Sequence, residues 1–186
     1  QTKLFFEQLL RWYEIIYDIK SVSLRYFNAA GADESGMIGE FHNPETHLIP
    51  TALKVALKQE KYLRIFGTNY STKDGTCIRD YIHVNDICRA HILALEYLAK
   101  NGKSDYFNLG TGIGTSVKSI IQACEKVTCA EIVVIEDRRR EGDPEIQVAS
   151  YKKAKKILGW KPKYTKMDSI IKTAWQWHRT HPNGFN

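Results

Sequence analysis

Between Asp74 and Asp86 the chain reads Asp-Gly-Thr-Cys-Ile-Arg-Asp-Tyr-Ile-His-Val-Asn-Asp, a run that surrounds one arginine with turn, strand and helix-start signals. Ile78, Ile82 and Val84 can pack inward while Asp74, Arg79, Asp80, His83 and Asp86 supply charge, so the run reads as a short strand delivering the Arg79 guanidinium to a cleft. Asp74-Gly75 opens it as a turn, and Asn85 or Asp86 closes it as a helix cap. A guanidinium fork matches two phosphate oxygens at once and keeps its charge at any physiological pH, so phosphate is the anion it suits. Arg25, Arg138, Arg139 and Arg140 are the other candidates for such a clamp. Arg79 and Arg140 each have an acid close by, Asp80 and Asp143, which favours a site holding both phosphate and hydroxyls; Arg138 and Arg139 read as solvated charge.

Other clusters are less specific. Gly110-Thr-Gly-Ile-Gly-Thr-Ser116 follows a strand-like run and precedes a helical one, the context of a dinucleotide fingerprint. Position 115 is Thr where the third glycine belongs, so the segment reads as a tight turn ahead of a helix capped by Ser116. The histidines are scattered: His83 ends the strand, His91 lies within a helix, His178 and His181 are near the C-terminus, and His42 and His47 flank a long loop from which they could reach a ligand. No pair has metal-ligand spacing, and no metal site is expected. Seven lysines from Lys152 to Lys166, interrupted by Trp160 and Tyr164, could be taken for a nucleic-acid patch. Ala154, Ile157 and Leu158 give that stretch an apolar side and Gly159-Trp160 a core anchor, so the lysines read as a solvated face and no nucleic-acid partner is expected.

These groups need a scaffold, and 186 residues with 43% hydrophobic content suffice for one domain or one and a half with a buried core. The net charge of +6 is spread over 27 basic and 21 acidic residues mixed along the chain, which argues against a disordered tail and favours an acidic ligand. Cys77, Cys88, Cys124 and Cys129 show no Cys-x-x-Cys pair and lie in or beside apolar runs, like buried thiols of a reducing, cytoplasmic compartment. No apolar run approaches the roughly 20 residues that span a bilayer, so no membrane partner is expected.

Periodicity predicts a helix over residues 1 to 18, with Leu4, Phe5, Leu9, Tyr13 and Ile16 at helical spacing and no capping residue ahead of them. The chain thus reads as starting inside a helix of something longer. A strand over Ser21–Phe27, a long loop over 32–47, a helix from Leu48 or Ile49 to Gln59 and a strand over Tyr62–Phe66 follow. After the arginine strand come a helix over about 85–100, a strand over 106–109, the glycine turn, a helix over 117–127 and a strand over 132–135. A polar segment over 138–143 and helices over 151–158 and 167–178 complete the chain. The alternation points to an α/β fold with parallel pairing.

Taken together, the Asp74–Asp86 run, Tyr26-Phe-Asn28, Ile65-Phe-Gly67, Tyr106-Phe-Asn-Leu-Gly110, Arg139-Arg-Glu-Gly-Asp143 and Trp175-Gln-Trp-His178 with His181-Pro-Asn-Gly184 stand in the order found in UDP-glucose 4-epimerases. The chain resembles the C-terminal half of that branch of the extended short-chain dehydrogenase/reductases. The resemblance implies the end of a Rossmann-type NAD-binding domain over 1–30 and mainly a small UDP-sugar-binding domain over 31–186, with 85–128 returning a helix and a strand to the Rossmann sheet. It implies NAD as cofactor, a UDP-hexose as substrate and a homodimer when full length. Lys3 would be the lysine of the family's Tyr-x-x-x-Lys motif, with the tyrosine and the glycine-rich fingerprint ahead of residue 1, so the chain by itself is expected to be inactive.

The chemistry implied is oxidation and re-reduction at carbon 4 of the hexose, with the 4-keto sugar rotating between the two steps. Lys3 would hold the nicotinamide ribose and lower the tyrosine pKa. Tyr26 and Phe27 would lie by the nicotinamide, and Asn28 would donate to the diphosphate. Leu48 and Arg64-Ile65-Phe66 would meet the uridine, Arg79 and Arg140 would grip the diphosphate, and Asp143 would accept from a ribose hydroxyl. His47 would join the substrate contacts where many members have Asn, and Gln147 matches a position whose size is associated with admitting N-acetylated sugars. The neighbouring readings are another nucleotide-sugar epimerase, dehydratase or decarboxylase of the same superfamily, and a non-catalytic nucleotide binder.

Overall fold

The structure, a computed structural model, describes residues 1–185. Its elements in chain order are α1 (Thr2–Tyr17), β1 (Val22–Tyr26), β2 (Asn28–Ala30), α2 (Leu48–Ala56), β3 (Leu63–Phe66), β4 (Ile78–His83), α3 (Val84–Ala99), β5 (Asp105–Leu109), β6 (Gly114–Ser116), α4 (Val117–Thr128), β7 (Val134–Asp137), β8 (Ile146–Gln147), α5 (Lys152–Leu158) and α6 (Met167–Thr180). β1 pairs with β5, β2 with β4, β3 with β7 and β8 with β4, all parallel; β6 alone runs antiparallel, along the first half of β4. Parallel ladders of this kind require crossovers, which the intervening helices supply. The α/β expectation holds.

β4 lies between two cores. Its side chains alternate, so Tyr81 enters a cluster with Ile49, Leu53, Ile120, Ile170 and Ile171 from α2, α4 and α6. Ile82 enters the other, with Phe107 and Leu109 of β5, Ile87 and Ala90 of α3, and Trp160. The indole of Trp160, fully buried, donates to the Asp86 carbonyl at 2.9 Å, which makes it the core anchor its sequence context suggests. Ala154 and Leu158 are buried beneath α5 while Ile157 stays exposed, and Gly159 ends the helix at φ 67.

Several expectations are corrected. α2 stops at Ala56, three residues short of Gln59, with Lys58 left-handed at φ 60. α3 starts at Val84 and is capped not by Asn85 or Asp86 but by His83, whose Nδ1 accepts from the Asn85 amide at 3.1 Å. Asp86 is instead buried and accepts from the backbone amides of Lys163 and Tyr164, each at 2.9 Å. Cys77 and Cys124 are buried as expected, whereas Cys88 and Cys129 are exposed, because each falls on the outer side of its segment. Ser116 caps α4 as read, its hydroxyl accepting from the Ser119 amide at 3.2 Å. No helix among the described residues is long and apolar enough to cross a membrane.

His83 and His178 are both buried, and burial pushes each imidazole below the usual histidine range, with Asp86, Glu34 and Asp33 opposing the shift at His83 and Glu45 opposing it at His178. The unfolded chain therefore binds more protons than the folded one once pH drops below the ordinary histidine value of about 6.5, and stability is lost as pH falls from there towards the depressed folded values. Thermal melts should show Tm falling between about pH 7 and about pH 5, with a shallower fall in His83→Gln. A flat profile in the parent chain would contradict this.

Candidate functional site

Two adjoining cavities open along the face of β4 that carries Arg79 and Tyr81, and Asn28, His47 and Leu48 line both. One, about 860 Å³, is walled by Arg64, Ile65 and Phe66 of β3, by Arg79, and by Arg140 and Asp143 from the loop after β7. The other, about 890 Å³, is bordered by Tyr26, Phe27, the loop that precedes α2, and the start of α3. Each falls within the roughly 300–1,000 Å³ of small-molecule sites. The local folding explains the arrangement. Phe27 breaks the strand between β1 and β2, its amide reaching Leu109 at 3.3 Å, so the chain leaves β5 and joins β4 at Asn28, bringing Tyr26, Phe27 and Asn28 to the cavity rim.

The arginines separate clearly. Arg79 is 9% exposed and its Nη2 donates to Asp143 at 2.5 Å and to the Pro144 carbonyl at 2.7 Å, while Nη1 donates to its own neighbour's carbonyl, Ile78, at 2.7 Å. Asp143 also accepts from the Tyr70 hydroxyl at 3.0 Å; burial, and after it this bond, pushes the tyrosine pKa up. Arg140 is exposed, and its guanidinium lies over the Phe66 ring at 3.9 Å at the cavity edge. Arg25 pairs instead with Glu7 of α1 and lies over Tyr106 at 4.1 Å, away from both cavities. Arg139 stacks on Tyr70 at 3.9 Å and sits 3.8 Å from Glu145.

Asp80, grouped with Arg79 as a candidate for binding hydroxyls, points to the opposite face. It is fully buried and accepts from the Thr111 amide at 2.9 Å, the Thr111 hydroxyl at 2.6 Å, the Gly112 amide at 2.9 Å and the Ala149 amide at 3.2 Å. The glycine turn is thus structural, its amides satisfied by a protein carboxylate. A Cβ on Gly110 would stand 2.5 Å from the Asp80 carboxylate, so this glycine is what lets the turn close on it.

Of the remaining sequence-based candidates, Asn28 donates its side-chain amide to the Asp80 carbonyl at 3.0 Å and Arg64 donates to Asp137 at 3.0 Å and to the Tyr62 hydroxyl at 3.0 Å. Lys3, exposed in the first turn of α1, and Gln147, exposed in β8 opposite Arg79, line neither cavity. Sequence reasoning missed Tyr62 and Thr51 in one cavity and Asn85 and Cys88 in the other. Their positions next to predicted elements carried a signal, but no chemistry singled them out. It also missed that Glu40, His42, Glu45 and His47 meet in space, a convergence that the spacing of the histidines along the sequence does not reveal.

Residues 1–110 match the model of the NAD dependent epimerase/dehydratase family. A UDP-glucose 4-epimerase of Halalkalibacterium halodurans is 51% identical over 186 residues, covering all of this chain and 56% of that protein. A crystal structure of a UDP-glucose 4-epimerase superposes with a TM-score of 0.96 at 51% identity, again over all of this chain and 56% of the other. The Bifidobacterium longum UDP-glucose 4-epimerase, solved in complex with NAD+ and UDP, gives 0.91 at 38% identity over 98% of this chain and 55% of that one. The chain therefore spans a little over half the length of the proteins it resembles.

Proposed function

The chain belongs to the NAD dependent epimerase/dehydratase family, and from that premise we propose that it is the substrate-holding portion of a UDP-glucose 4-epimerase, which interconverts UDP-galactose and UDP-glucose through a 4-keto sugar. One observation carries the reading: a single cavity gathers Asn28, Leu48, Ile65, Phe66, Arg79, Arg140 and Asp143 from five separate stretches of chain. Its makeup suits a nucleoside diphosphate. Ile65 and Phe66 offer an apolar wall to a base, Arg140 projects a solvated guanidinium and Arg79 a buried one, and Asp143 offers carboxylate oxygens to a ribose hydroxyl.

Holding the nucleotide by these remote groups leaves the hexose to be bound loosely, as a sugar that must present both faces requires. In this reading the hexose lies towards Tyr26 and Phe27, where the two cavities join at Asn28. NAD, when bound, supplies the redox chemistry at carbon 4. The aromatic border formed by Tyr26, which is 50% exposed, and Phe27 fits the edge of a nicotinamide. Lys3 would act beside the cofactor ribose. Its exposed position in α1 leaves its ammonium free to do so. His47 completes the proposed substrate contacts from the seam, whereas Gln147 in β8, outside both cavities, enters the reading only through the family resemblance.

In this division, 1–30 belongs to the cofactor domain and 31–186 mainly to the UDP-sugar domain. The pairing of β5 with β1 supports returning residues from 85 onward to the first domain. The packing of α4 on α2 and α6 favours keeping that helix in the second. Leu4, Phe5, Trp12, Ile15 and Ile16 on α1 and Ile92 and Leu95 on α3 are all exposed, an apolar surface suited to a second copy in a homodimer.

Coupled assays of the whole enzyme with UDP-galactose, UDP-N-acetylgalactosamine and UDP-glucuronate test the assignment. Turnover of UDP-galactose is expected; its absence beside turnover of another sugar would move the enzyme elsewhere in the family. Residues 1–186 alone should bind UDP without turning over UDP-galactose and should sediment as an assembly. Turnover by this stretch, or a compact monomer, would refute the corresponding part of the proposal.

A further inference from the structure

Within eight residues of the loop leading to α2, two carboxylates and two imidazoles turn towards one point. Each of Glu40, His42, Glu45 and His47 offers a ligand atom, and the four atoms lie within 4.8 Å of one another, the one such convergence among the described residues. His47 Nδ1 is 2.9 Å from Glu40 Oε1 and 3.0 Å from Glu45 Oε1; His42 Nδ1 is 3.2 Å from Glu40 Oε1 and 3.7 Å from Glu45 Oε2. Hydrogen bonding does not exhaust this arrangement. An imidazole Nδ1 carries at most one proton, yet each faces two carboxylates. Glu45 Oε2 is buried without any hydrogen-bond partner, on a side chain only 4% exposed. A buried carboxylate oxygen without a hydrogen bond is costly, and an ion at this point would offset that cost.

We propose that Glu40, His42, Glu45 and His47 form a binding site for a divalent transition-metal ion of the zinc class at the seam of the two cavities.

The geometry is close to what such an ion needs. Zinc–nitrogen and zinc–oxygen bonds of about 2.0–2.1 Å in a tetrahedron put neighbouring ligand atoms about 3.3 Å apart; the four imidazole–carboxylate pairs here are 2.9–3.7 Å apart, and all four ligand atoms lie within 4.8 Å of one another, so a small inward adjustment of the side chains closes the set on an ion. Two imidazoles beside two carboxylates favour zinc, cobalt, nickel or copper over magnesium or calcium, and a dication balances both carboxylates. The supporting shell is in place. Glu45 Oε1 is held by the Thr46 and His47 amides at 2.8 Å each, and the Glu40 carbonyl accepts from the Trp177 indole at 3.1 Å. Gly39 makes that last contact possible, since a Cβ there would lie 2.1 Å from the Trp177 ring. The histidine side chains are 51% and 56% exposed, so an ion has a path in. Glu40 and His42 border one cavity, Glu45 the other and His47 both, so an ion here would tie the loop to the first turn of α2 beside Leu48.

The test is titration of the metal-stripped chain with Zn2+ and Co2+, read by calorimetry and by cobalt visible absorption. One ion per chain with a tetrahedral cobalt spectrum is expected. Since losing a mere outer-shell partner costs 10–100-fold in metal affinity, His42→Ala and Glu45→Gln should each lose about 100-fold or more. A Cys88→Ser, Cys129→Ser, His91→Ala chain should bind as the parent does. NMR of the unsubstituted chain adds a readout independent of folding in the variants: saturable Zn2+-induced shifts at the His42 and His47 imidazoles and none at His91. No stoichiometric binding, equal affinity in the ligand variants, loss of binding in the control chain, or imidazole shifts confined to other histidines would each overturn the proposal.

Discussion

Replacing Asp80 with alanine should lower stability by about 3–5 kcal/mol, the range for removing one member of a buried, fully paired polar cluster. The carboxylate is wholly buried and takes four hydrogen bonds, three of them from backbone amides in two loops far apart in sequence, Thr111-Gly112 and Ala149. Without it the buried Thr111 and Ala149 amides lose their acceptor, and the exposed Gly112 amide must turn to water. The loss is large against a total of about 5–15 kcal/mol and would lower Tm by roughly 10 °C. Asp80→Asn keeps the volume but turns an NH2 group towards some of these donors, so it should fall between the parent and the alanine variant. Denaturant melts, with amide exchange followed at Thr111, Gly112 and Ala149, give the answer. A change below about 1 kcal/mol would mean that the turn closes without this carboxylate.

That cluster also shows where sequence reasoning reached its limit. Charged residues on a short strand are read as facing solvent or ligand, and the sequence sets Arg79, Asp80 and His83 apart from the inward-packing residues. β4 is flanked by β2, β6 and β8 and covered on both faces, so all three are buried. Their partners Asp143, Thr111, Ala149 and Thr173 lie 31 to 90 residues away, beyond any local pattern. Strands β2, β6 and β8 escaped notice because two or three residues carry no measurable period; they are strands only because β4 pairs with them. The long helices and β1, β3 and β5 were legible, since apolar spacing over a dozen residues, or a β-branched and aromatic run, is a local property. Of the candidate site, what was legible in residue types is that Arg79, Arg140 and Asp143 share one cavity. Which acid serves which arginine was not: Asp143 pairs with Arg79 across β4's edge, while Arg140 sits on Phe66.

That difference in partners makes the two arginines separable by experiment. Arg140 has a cation–π contact with Phe66 and an exposed fork, so Arg140→Ala should leave Tm within about 1–2 °C of the parent, as surface changes generally do. Its affinity for UDP should nonetheless fall about 10–100-fold, since a charge-assisted contact to phosphate is worth about 1.5–3 kcal/mol. Arg79→Ala should reduce affinity at least as much and also destabilise the fold, because it removes the donor that Asp143 and the Pro144 carbonyl share. Arg79→Lys sharpens the comparison: a lysine keeps the charge but cannot reach three acceptors in one plane, so part of both losses should persist. Calorimetric titration of UDP alongside thermal melts distinguishes these outcomes. Undiminished UDP affinity in Arg140→Ala would remove it from the clamp, and undiminished affinity in a folded Arg79→Ala would reduce that arginine to a brace for Asp143.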